Sequence, residues 1–335
     1  MTALSETIAA QGDLLEAILT LDIDDAVHRI EPATRIWFVG TGTSQHAAEL
    51  ATWMFGPGER TISSSSSSAF AWTEHVFGKD DAVVVISHTA ETAFAQRARH
   101  LALKAGARVV SITGPGRGWP EVVETVSNER SETYTASYLA ALVVLARLSL
   151  RLRQSSFDEQ QLSELPSRVR AAAIDSTSVL ESPPERLLVL AGVGPGAVTA
   201  REGALKLREA ARLTAEGYEA EYLLHGSAVP LRGGDVFLAI QPTQDEFGLL
   251  EGITAAAVRE GLTARTVHEP EGLHPVLTQI PLTVRLQKLA SDLADAQGLD
   301  PDHVVCGAWA EDRLWRAGGP DSRNFGLSKR LHIRP

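Results

Sequence analysis

Short apolar runs alternate with stretches of helical periodicity along most of the chain. Each run is long enough for one strand and is mostly apolar, which is typical of strands covered on both sides of a parallel sheet. Helical stretches follow two of these runs, at residues 45–55 and at about 198–214. This alternation predicts an α/β fold of the doubly wound class. The apolar runs are residues 35–39, 81–86, 187–191 and 235–240.

The two halves of the chain repeat the same order of segments. In each half a strand runs into a glycine-rich turn and a helix, a second strand ends in a polar turn, and a third strand follows a glycine. Three matches at nearly constant separation are hard to obtain by chance, so we expect two tandem flavodoxin-like domains related by an internal repeat. The matching positions are Gly40 and Gly192, Asp81 and Asp235, and Gly106 and Gly261.

A polar, serine-rich segment separates the halves. It covers residues 154–184, contains three prolines and includes a helical stretch at residues 159–174. Six serines at residues 63–68 predict a polar loop, and apolar spacing predicts an N-terminal helix over about residues 5–21. The domains we expect are a first domain at residues 1–155, a helical linker at 156–184 and a second domain at 185–335.

Charge and cysteine content exclude some classes of function. The chain has 31 Lys and Arg against 42 Asp and Glu, a net charge of −11, so bulk attraction to a nucleic-acid backbone is not expected. The single cysteine, Cys306, fits a reducing compartment and is expected to be a small buried apolar residue. The first residues carry no basic segment before an apolar core, and no apolar run is long enough to cross a bilayer. These features predict a cytoplasmic protein without membrane contact.

Two loops of the first half are candidates for holding an anionic ligand. Ligands of doubly wound sheets bind outside the carboxyl ends of the strands, where residues 40–44 and 87–92 supply hydroxyls and small side chains before a helix. Backbone N–H groups, hydroxyls and a helix N-terminus together favour a phosphate monoester. The corresponding loop of the second half, from Gln241, is poor in hydroxyls, so we expect one active site per chain.

A dinucleotide site is an alternative for the first glycine turn. Gly40 and Gly42 begin a Gly-x-Gly-x-x-Gly pattern, but Gln45 stands at its third glycine position. The next strand also ends without an acidic residue for a ribose, so the pattern does not favour NAD. A third interpretation is that the two glycines only permit a tight turn between strand and helix.

One helix of the second half carries charged residues with catalytic potential. Glu202, Lys206 and Glu209 are spaced so that they lie on or near one helical face. A surface ion-pair stripe would have the same spacing. The helix follows a glycine-rich turn, however, and His225 comes after it. These groups are therefore candidates for proton transfer on a sugar held by the phosphate loops.

Five motifs resemble those of the sugar isomerase (SIS) family in its two-domain form. The chain is most similar to the isomerase half of glucosamine-6-phosphate synthase, and the resemblance covers nearly the whole chain. The segment at residues 202–209 matches the family's Glu-Gly-Ala-Leu-Lys-Leu-Lys-Glu helix almost residue for residue and is the most specific motif. The other motifs are residues 40–44, residues 87–92 against Ser-x-Ser-Gly-Glu-Thr, residues 224–227 against Lys-His-Gly-Pro, and residues 326–329.

The resemblance implies a role for each matching residue. Glu209 would be the base that moves a proton between C1 and C2, and Lys206 would steady charge near the substrate. His225 would assist ring opening from the partner subunit of a homodimer with shared active sites. Lys329 would reach the carbonyl end of the sugar from the C-terminal tail. No metal or organic cofactor is implied. The residues that would hold the phosphate are Gly42, Thr43, Ser44, Ser87, His88, Thr89 and Thr92.

The expected activity is aldose–ketose isomerisation of a sugar or amino-sugar 6-phosphate through an enediol. The chain starts at Met1 without the cysteine nucleophile of a glutaminase, so we expect this activity to be independent of glutamine. One alternative is deamination of an amino-sugar phosphate or deglycation of fructosamine 6-phosphate. Another is a phosphosugar-binding sensor without turnover. His88, Thr89, Ala90 and Ser227 depart from the family pattern and leave the substrate open.

Overall fold

The computed structural model describes residues 1–72, 77–175, 179–180, 182–241, 245 and 247–320. Its strands are β1 (Arg35–Gly40), β2 (Thr61–Ser66), β3 (Asp81–Ile86), β4 (Arg108–Thr113), β5 (Val122–Glu124), β6 (Leu188–Gly192), β7 (Ala215–Glu219), β8 (Val236–Gln241) and β9 (Thr263–His268). Its α-helices are α1 (Ala3–Thr20), α2 (Asp24–Ile30), α3 (Thr43–Met54), α4 (Ser67–Trp72), α5 (Ala93–Lys104), α6 (Ala136–Arg151), α7 (Glu159–Ser163), α8 (Leu165–Ile174), α9 (Pro195–Ala211), α10 (Ala220–Tyr222), α11 (Leu249–Arg259), α12 (Gln279–Ala296) and α13 (Asp312–Arg316). A π-type turn covers Leu223–Ser227 and a 3-10 turn covers Gly307–Ala310.

The strands of the described residues form two parallel sheets, one in each half of the chain. The first has the order β2-β1-β3-β4-β5 and the second the order β7-β6-β8-β9. In both, the first strand of the half lies between the second strand on one side and the later strands on the other, which is the doubly wound pattern. β3 and β6 are buried along their whole length, as their continuous apolar runs predict. The predicted fold class of two tandem α/β units is confirmed.

The repeat extends to the backbone of the glycine turns. Gly42 has φ 59° and ψ −130°, and Gly194 has φ 56° and ψ −125°, a region that glycine adopts and other residues avoid. A Cβ at Gly40 would lie 2.2 Å from the carbonyl oxygen of Ser44, and one at Gly192 would meet backbone at 2.3 Å. Both turns therefore need two glycines to lead a strand directly into a helix.

The two halves share one apolar core. α6 is buried over almost its whole length, and its side chains join a cluster that includes residues of both sheets and of α1, α8, α9 and α12. The first helices after the two glycine turns, α3 and α9, contact each other through an ion pair between Glu49 and Arg201. This contact brings the charged face of α9 next to the loops of the first half, so that both halves can contribute to one site.

The serine run is a strand followed by a helix start, and the predicted loop is wrong. Residues 63–66 lie in β2 and pair with β1 in parallel register, for example Ser63 with Trp37, while Ser67 and Ser68 begin α4. Serine has no strong strand preference, but the open edge of β1 offers backbone partners that a segment can take whatever its side chains. Pairing between distant segments of this kind leaves no mark in local composition.

Cys306 is exposed, so its prediction as a buried apolar residue is wrong. It precedes the 3-10 turn Gly307–Ala310, in which no residue is buried. This part of the chain runs over the surface, where connecting segments have no further layer of helix or sheet to cover them. A cysteine here behaves as a surface side chain although its type is most often buried.

Several helices are present close to their predicted bounds. The N-terminal helix is α1, the helical stretch of the linker is divided into α7 and α8, and the helices after the glycine turns are α3 and α9. These last two begin slightly earlier than the hydrophobic periodicity indicates, because helical conformation starts directly after the second glycine of each turn. Among the described residues, no helix combines the length and the apolarity that crossing a bilayer would need.

Candidate active site

A cavity of about 580 Å³ opens at the carboxyl edge of the first sheet, between the loops that follow β1 and β3 and the helix α9. The two loops meet because β1 and β3 are neighbours in a parallel sheet, so that their carboxyl ends lie at the same edge. Every residue predicted for the phosphate lines this cavity, together with the predicted base. These lining residues are Gly42, Thr43, Ser44, Ser87, His88, Thr89, Thr92 and Glu209.

Ser87 presents an unpaired hydroxyl at the wall of the cavity. The residue is 3% exposed, and its Oγ has no hydrogen-bond partner among the described residues. The backbone holds it in place, because the Ser87 N–H donates to the carbonyl oxygen of Ile112 at 3.0 Å. Buried hydroxyls of native proteins are nearly always paired, so an unpaired one beside a cavity is suited to a ligand oxygen.

His88 fills a corner of the cavity between two loops. Its ring packs against Tyr134 with 5.8 Å between centroids. A Cβ at Gly114 would lie 2.8 Å from the imidazole Cε1, so glycine is the residue that fits beside the ring. Burial lowers the pKa of His88, and neither ring nitrogen has a partner in the described part of the chain. The imidazole is therefore neutral near neutral pH and adds no cation to the cavity.

Ala90 adopts the backbone conformation that a glycine would favour at its position. Its φ is 57°, in the left-handed region that costs a residue with a Cβ about 1–2 kcal/mol. Its N–H donates to the carbonyl oxygen of Ser87 at 3.1 Å, and its own carbonyl oxygen accepts the side-chain amide of Gln96 at 2.9 Å. The turn after β3 therefore keeps a tight geometry although alanine replaces the glycine of the family pattern.

A row of charges on α9 ends at the cavity. Lys206 Nζ lies 2.5 Å from Glu209 Oε2 and 3.5 Å from Glu202 Oε1. The side chains of Lys206 and Glu202 are 1% and 0% exposed, whereas that of Glu209 is 21% exposed. The three residues therefore do not form a surface ion-pair stripe. One carboxylate reaches the cavity, and the ammonium beneath it is sealed from water.

These neighbours shift each pKa in a direction set by burial and charge. Burial raises the pKa of the Glu209 carboxyl, and the attraction of Lys206 offsets part of that rise. Burial opposes the charge on Lys206, but the carboxylates on either side outweigh it and raise the pKa of the ammonium. Burial likewise opposes the charge on Glu202, but Lys206 and His46 outweigh it and lower the pKa of this carboxyl. At neutral pH α9 thus carries a buried charged pair and, at the cavity, a carboxylate of raised basicity.

Two residues of α3 complete this network from the other half of the chain. His46 Nδ1 lies 2.6 Å from Glu202 Oε2, and Thr43 Oγ1 donates to Glu202 Oε1 at 3.2 Å. Thr43 lines the cavity, but its hydroxyl is engaged by this buried carboxylate. His46 was not predicted from the sequence, because its partner belongs to the other half and no local spacing relates the two residues.

Residues 301–316, here called the C-terminal strap, form a further wall of the cavity. The strap is fixed to the first half because Glu132 accepts the N–H groups of Val304 at 2.7 Å and Val305 at 3.1 Å. Both valines and Trp315 line the cavity. This wall was not predicted from the sequence. The one signal for it was Trp315, a large aromatic side chain within a polar stretch.

The groups of the cavity that can bind an anion are hydroxyls and N–H groups, and not cationic side chains. Glu132 and Glu209 line it, and among the described residues no lysine or arginine does. α3 and α5 begin at the two loops, and neither N-terminus is capped by a side chain. The N–H groups of Ser44 and Gln45 at the start of α3 donate to the carbonyl oxygens of Thr41 and Gly42. Among the described residues no such bond engages the first N–H groups of α5, which are therefore available to a ligand. Within the described ranges, no group of three or more His, Cys, Asp or Glu residues is arranged to hold a metal ion.

His225 lies apart from this cavity. Its side chain is 74% exposed on the turn Leu223–Ser227, where it borders a groove together with Phe247 and Leu249. Lys329 lies outside the described residues. The structure thus brings the two loops and Glu209 together and leaves His225 facing outward from its own chain.

The segment that contains both loops matches a known protein family. Residues 29–117, which include both loops, match the SIS domain family. Among sequence relatives, the glutamine–fructose-6-phosphate aminotransferase (isomerizing) of Chlorobaculum tepidum is 28% identical over 320 residues, which cover 84% of this chain and 51% of that protein. The chain therefore spans about half the length of the curated relatives it matches.

Solved structures share the fold across both halves. The C-terminal domain of glucosamine-fructose-6-phosphate aminotransferase from Francisella tularensis matches with a TM-score of 0.76 at 18% identity, over 90% of this chain and 98% of that one. Tagatose-6-phosphate ketose/aldose isomerase from Escherichia coli matches with a TM-score of 0.75 at 17% identity, over 91% of this chain and 96% of that one. At this level of identity the likeness establishes the arrangement of the two sheets.

Proposed function

On the premise that this chain carries an SIS domain over residues 29–117, we propose that it is a phosphosugar isomerase. The reaction is the transfer of a proton between C1 and C2 of a sugar or amino-sugar 6-phosphate through an enediol. The observation that carries the proposal is the shared cavity, in which the hydroxyl-rich loops after β1 and β3 face the carboxylate of Glu209. A cradle for the phosphate and a base in one enclosed space are the two parts that this reaction needs.

The two loops suit a phosphate monoester. Ser44, Ser87, Thr89 and Thr92 bring hydroxyls to the cavity, and the uncapped start of α5 adds N–H donors. Each helix N-terminus carries a partial positive charge. Because the described lining holds no lysine or arginine, these donors supply the attraction for the anion.

Glu209 is the base of the proposed reaction. Its raised pKa makes it a stronger base than an exposed glutamate, and Lys206 holds it at 2.5 Å. The carboxylate takes a proton from one carbon and returns it to the neighbouring carbon, while a proton passes between the two oxygens. Aldose and ketose thus interconvert without an external reagent. Lys329, from the C-terminal tail, is proposed to contact the carbonyl end.

Removal of an amine from an amino-sugar phosphate or a glycated amine is a second candidate reaction. Glu132 and Glu209 line the cavity as two carboxylates and would attract a cationic amine. Val304, Val305 and Trp315 add an apolar wall against which the carbon chain of a glycated amine would pack. Release of free amine during sugar turnover would distinguish this reaction from simple isomerisation.

We further propose a cytoplasmic homodimer in which His225 of one chain serves the cavity of the other. His225 is 74% exposed in its own chain, which leaves its imidazole available to a second copy. Tyr222, Leu224 and Phe247 are also exposed nearby. A cluster of exposed apolar side chains beside a polar candidate for catalysis suits a contact between subunits.

A thermal-shift screen tests the proposed substrate class. Purified protein is heated with hexose, hexosamine and glycated-amine 6-phosphates, each beside its unphosphorylated counterpart. A ligand present at about 100 times its dissociation constant adds about 2.7 kcal/mol to stability. The proposal expects that one phosphosugar raises the melting temperature and its plain sugar does not. Equal responses to both members of every pair, or no response to any, would contradict it.

A further inference from the structure

A row of four ionisable side chains joins the two halves of the chain. His46 Nδ1 lies 2.6 Å from Glu202 Oε2. Lys206 Nζ lies 3.5 Å from the other oxygen of Glu202 and 2.5 Å from Glu209 Oε2. Because an ionised carboxylate only accepts hydrogen bonds, His46 donates through Nδ1. The row therefore starts on α3 of the first half and ends at the proposed base on α9.

The two inner members of the row are sealed from water. The side chains of Glu202 and Lys206 are 0% and 1% exposed, so their charges are balanced by neighbouring groups and not by solvent. Glu202 has His46, Thr43 and Lys206 around it, and Lys206 has the carboxylates of Glu202 and Glu209. Loss of one neighbour forces the remaining charges to redistribute among the others.

The two ends of the row face different cavities. Glu209 lines the proposed sugar site, whereas His46 lines a separate cavity of about 420 Å³. Gly42 and Leu205 line both cavities and stand between them. His46 therefore acts on the base from the side away from the sugar. The other titratable and charged groups around His46 and Glu202 are Arg201, Arg208, Glu216 and Tyr218 in the second cavity, with Tyr138 and Glu49 nearby.

We propose that His46 is a positioning residue that holds the Glu209 carboxylate in place through Glu202 and Lys206. This inference rests on the proposed function, since it concerns the same base. Without His46, the sealed carboxylate of Glu202 draws Lys206 more strongly, and Lys206 moves away from Glu209. Glu209 then loses its fixed orientation. It also loses part of the attraction that opposes burial, so its pKa rises further.

Three variants test the inference. His46→Leu removes the hydrogen-bond donor and replaces the imidazole with an apolar side chain of similar bulk. His46→Asn presents an amide N–H close to the position of Nδ1 and is the conservative rescue. His28→Leu removes an exposed histidine on α2 and controls for the loss of a histidine as such. Each is compared with the parent for kcat, KM and the pH dependence of kcat, using the phosphosugar found by thermal shift.

The expected pattern separates positioning from general damage to the fold. His46→Leu lowers kcat at least about tenfold, since a misplacement of about 1 Å can cost on the order of 100-fold. Its KM changes little, because His46 does not line the proposed sugar cavity. The acidic limb of its kcat profile moves to higher pH. His46→Asn regains most of the rate, and His28→Leu matches the parent. A parental rate and an unmoved limb in His46→Leu would overturn the inference.

A titration of Glu209 by carbon-13 NMR gives a readout that needs no substrate. Glutamate carboxyl carbons are labelled, Glu209→Gln assigns the signal, and His46→Leu is expected to raise its midpoint. If His46→Leu does not fold, His46→Gln is used instead. Its side-chain amide lies near the position of the imidazole Nε2 and not of Nδ1, so it does not replace the donor to Glu202. An unchanged midpoint overturns the inference even if the parent isomerises phosphosugars. A raised midpoint in a chain that turns over no phosphosugar supports positioning and rejects the proposed function.

Discussion

Lys206 Nζ lies 2.5 Å from Glu209 Oε2, with the ammonium 1% exposed and the carboxylate at the edge of the cavity. A buried ion pair contributes little net stability, because the desolvation of both charges offsets their attraction. Its main consequence here is geometric. The ammonium cannot exchange its partner for water, so it keeps the carboxylate in one position in the cavity that the loops after β1 and β3 also line.

Acidification is expected to abolish turnover before it unfolds the protein. Glu209 must be ionised to accept a proton, and burial raises its pKa above the ordinary 4.5. The value of kcat therefore falls as the pH drops through a value higher than 4.5. A raised carboxyl pKa means that the folded protein binds this proton more tightly than the unfolded chain does, so protonation of Glu209 does not destabilise the fold. The measurement is the pH dependence of kcat.

Glu202 indicates at which pH the fold itself should begin to lose stability, which can be compared with the pH at which kcat falls. Burial opposes its charge, but Lys206 and His46 lower its pKa below the ordinary 4.5. A lowered carboxyl pKa stabilises the folded state above 4.5, and this contribution is lost as the pH falls further toward the folded-state value. Circular dichroism in the same buffers should therefore show folded protein across the acidic limb of kcat. A limb that coincides with unfolding would contradict its assignment to Glu209.

Ser87→Ala is expected to weaken phosphosugar binding without destabilising the free protein. The Ser87 Oγ has no partner among the described residues, so its removal breaks no hydrogen bond described within the protein. A lost hydrogen bond to a charged phosphate costs about 1–3 kcal/mol, or roughly 5- to 150-fold in the dissociation constant. Isothermal titration calorimetry measures the affinity, and urea unfolding measures the stability.

Ser149→Ala is the matched control for Ser87→Ala. Ser149 is also a buried serine, but its Oγ donates to the carbonyl oxygen of Ala146 at 2.8 Å inside α6. Its loss should lower the free energy of unfolding by about 0.5–1.5 kcal/mol and leave ligand affinity unchanged. If Ser87→Ala lowers stability as Ser149→Ala does and keeps full affinity, the hydroxyl of Ser87 does not contact the phosphate.

Replacement of Ala90 by glycine is expected to leave stability nearly unchanged. Relief of the left-handed conformation at φ 57° gains about 1–2 kcal/mol. Loss of the buried methyl group costs about 0.8 kcal/mol, and the greater freedom of glycine in the unfolded chain costs about 0.4–1 kcal/mol. Arg153 has φ 54° and is exposed, so Arg153→Gly gains the first contribution without the second. Urea unfolding should show Arg153→Gly as the more stable variant. A larger gain in the free energy of unfolding for Ala90→Gly than for Arg153→Gly would contradict the expected packing of the Ala90 methyl group.

Mixed dimers are expected to reveal where His225 acts. Glu209→Gln and His225→Ala are each predicted to be inactive alone. After subunit exchange at equal amounts, half of the dimers are mixed, and each has one intact site, so about a quarter of the parental activity returns. Activity is measured after exchange has been confirmed by mass-tagged subunits. Mixed dimers without activity would indicate that His225 serves its own chain, and an active His225→Ala variant would indicate that it serves no site.

The sequence predicted those elements of the fold whose hydrophobic pattern lies within a single segment of the chain. Apolar runs predicted β1, β3, β6 and β8, and the glycine turns predicted the starts of α3 and α9 within a few residues. Only the start of β2 was predicted, as a strand ending at residues 62–63, because the serines that follow carry no strand signal and the partner strand β1 lies elsewhere in the chain. Cys306 was misjudged because residue type predicts average burial and not the path of a surface segment.

The sequence predicted the two loops and the charged face of α9. It did not predict the contacts between residues that lie far apart in the chain. Helical spacing linked Glu202, Lys206 and Glu209, and strand ends predicted the two loops. The partnership of His46 with Glu202 joins residues of different halves, and no periodicity connects them. The C-terminal strap is held by backbone N–H groups bound to Glu132, and backbone donors have no signature in a sequence.

Deuterium exchange tests most directly whether Glu209 performs proton transfer on a phosphosugar. The parent and Glu209→Gln are incubated in D2O with the phosphosugar that stabilises the protein, and proton NMR follows C1 and C2. If Glu209 is the base, the parent incorporates deuterium at one of these carbons. Glu209→Gln should bind the sugar with similar affinity and exchange it at least about 100-fold more slowly. Exchange at the parental rate in Glu209→Gln, or tight binding without exchange in the parent, would contradict it.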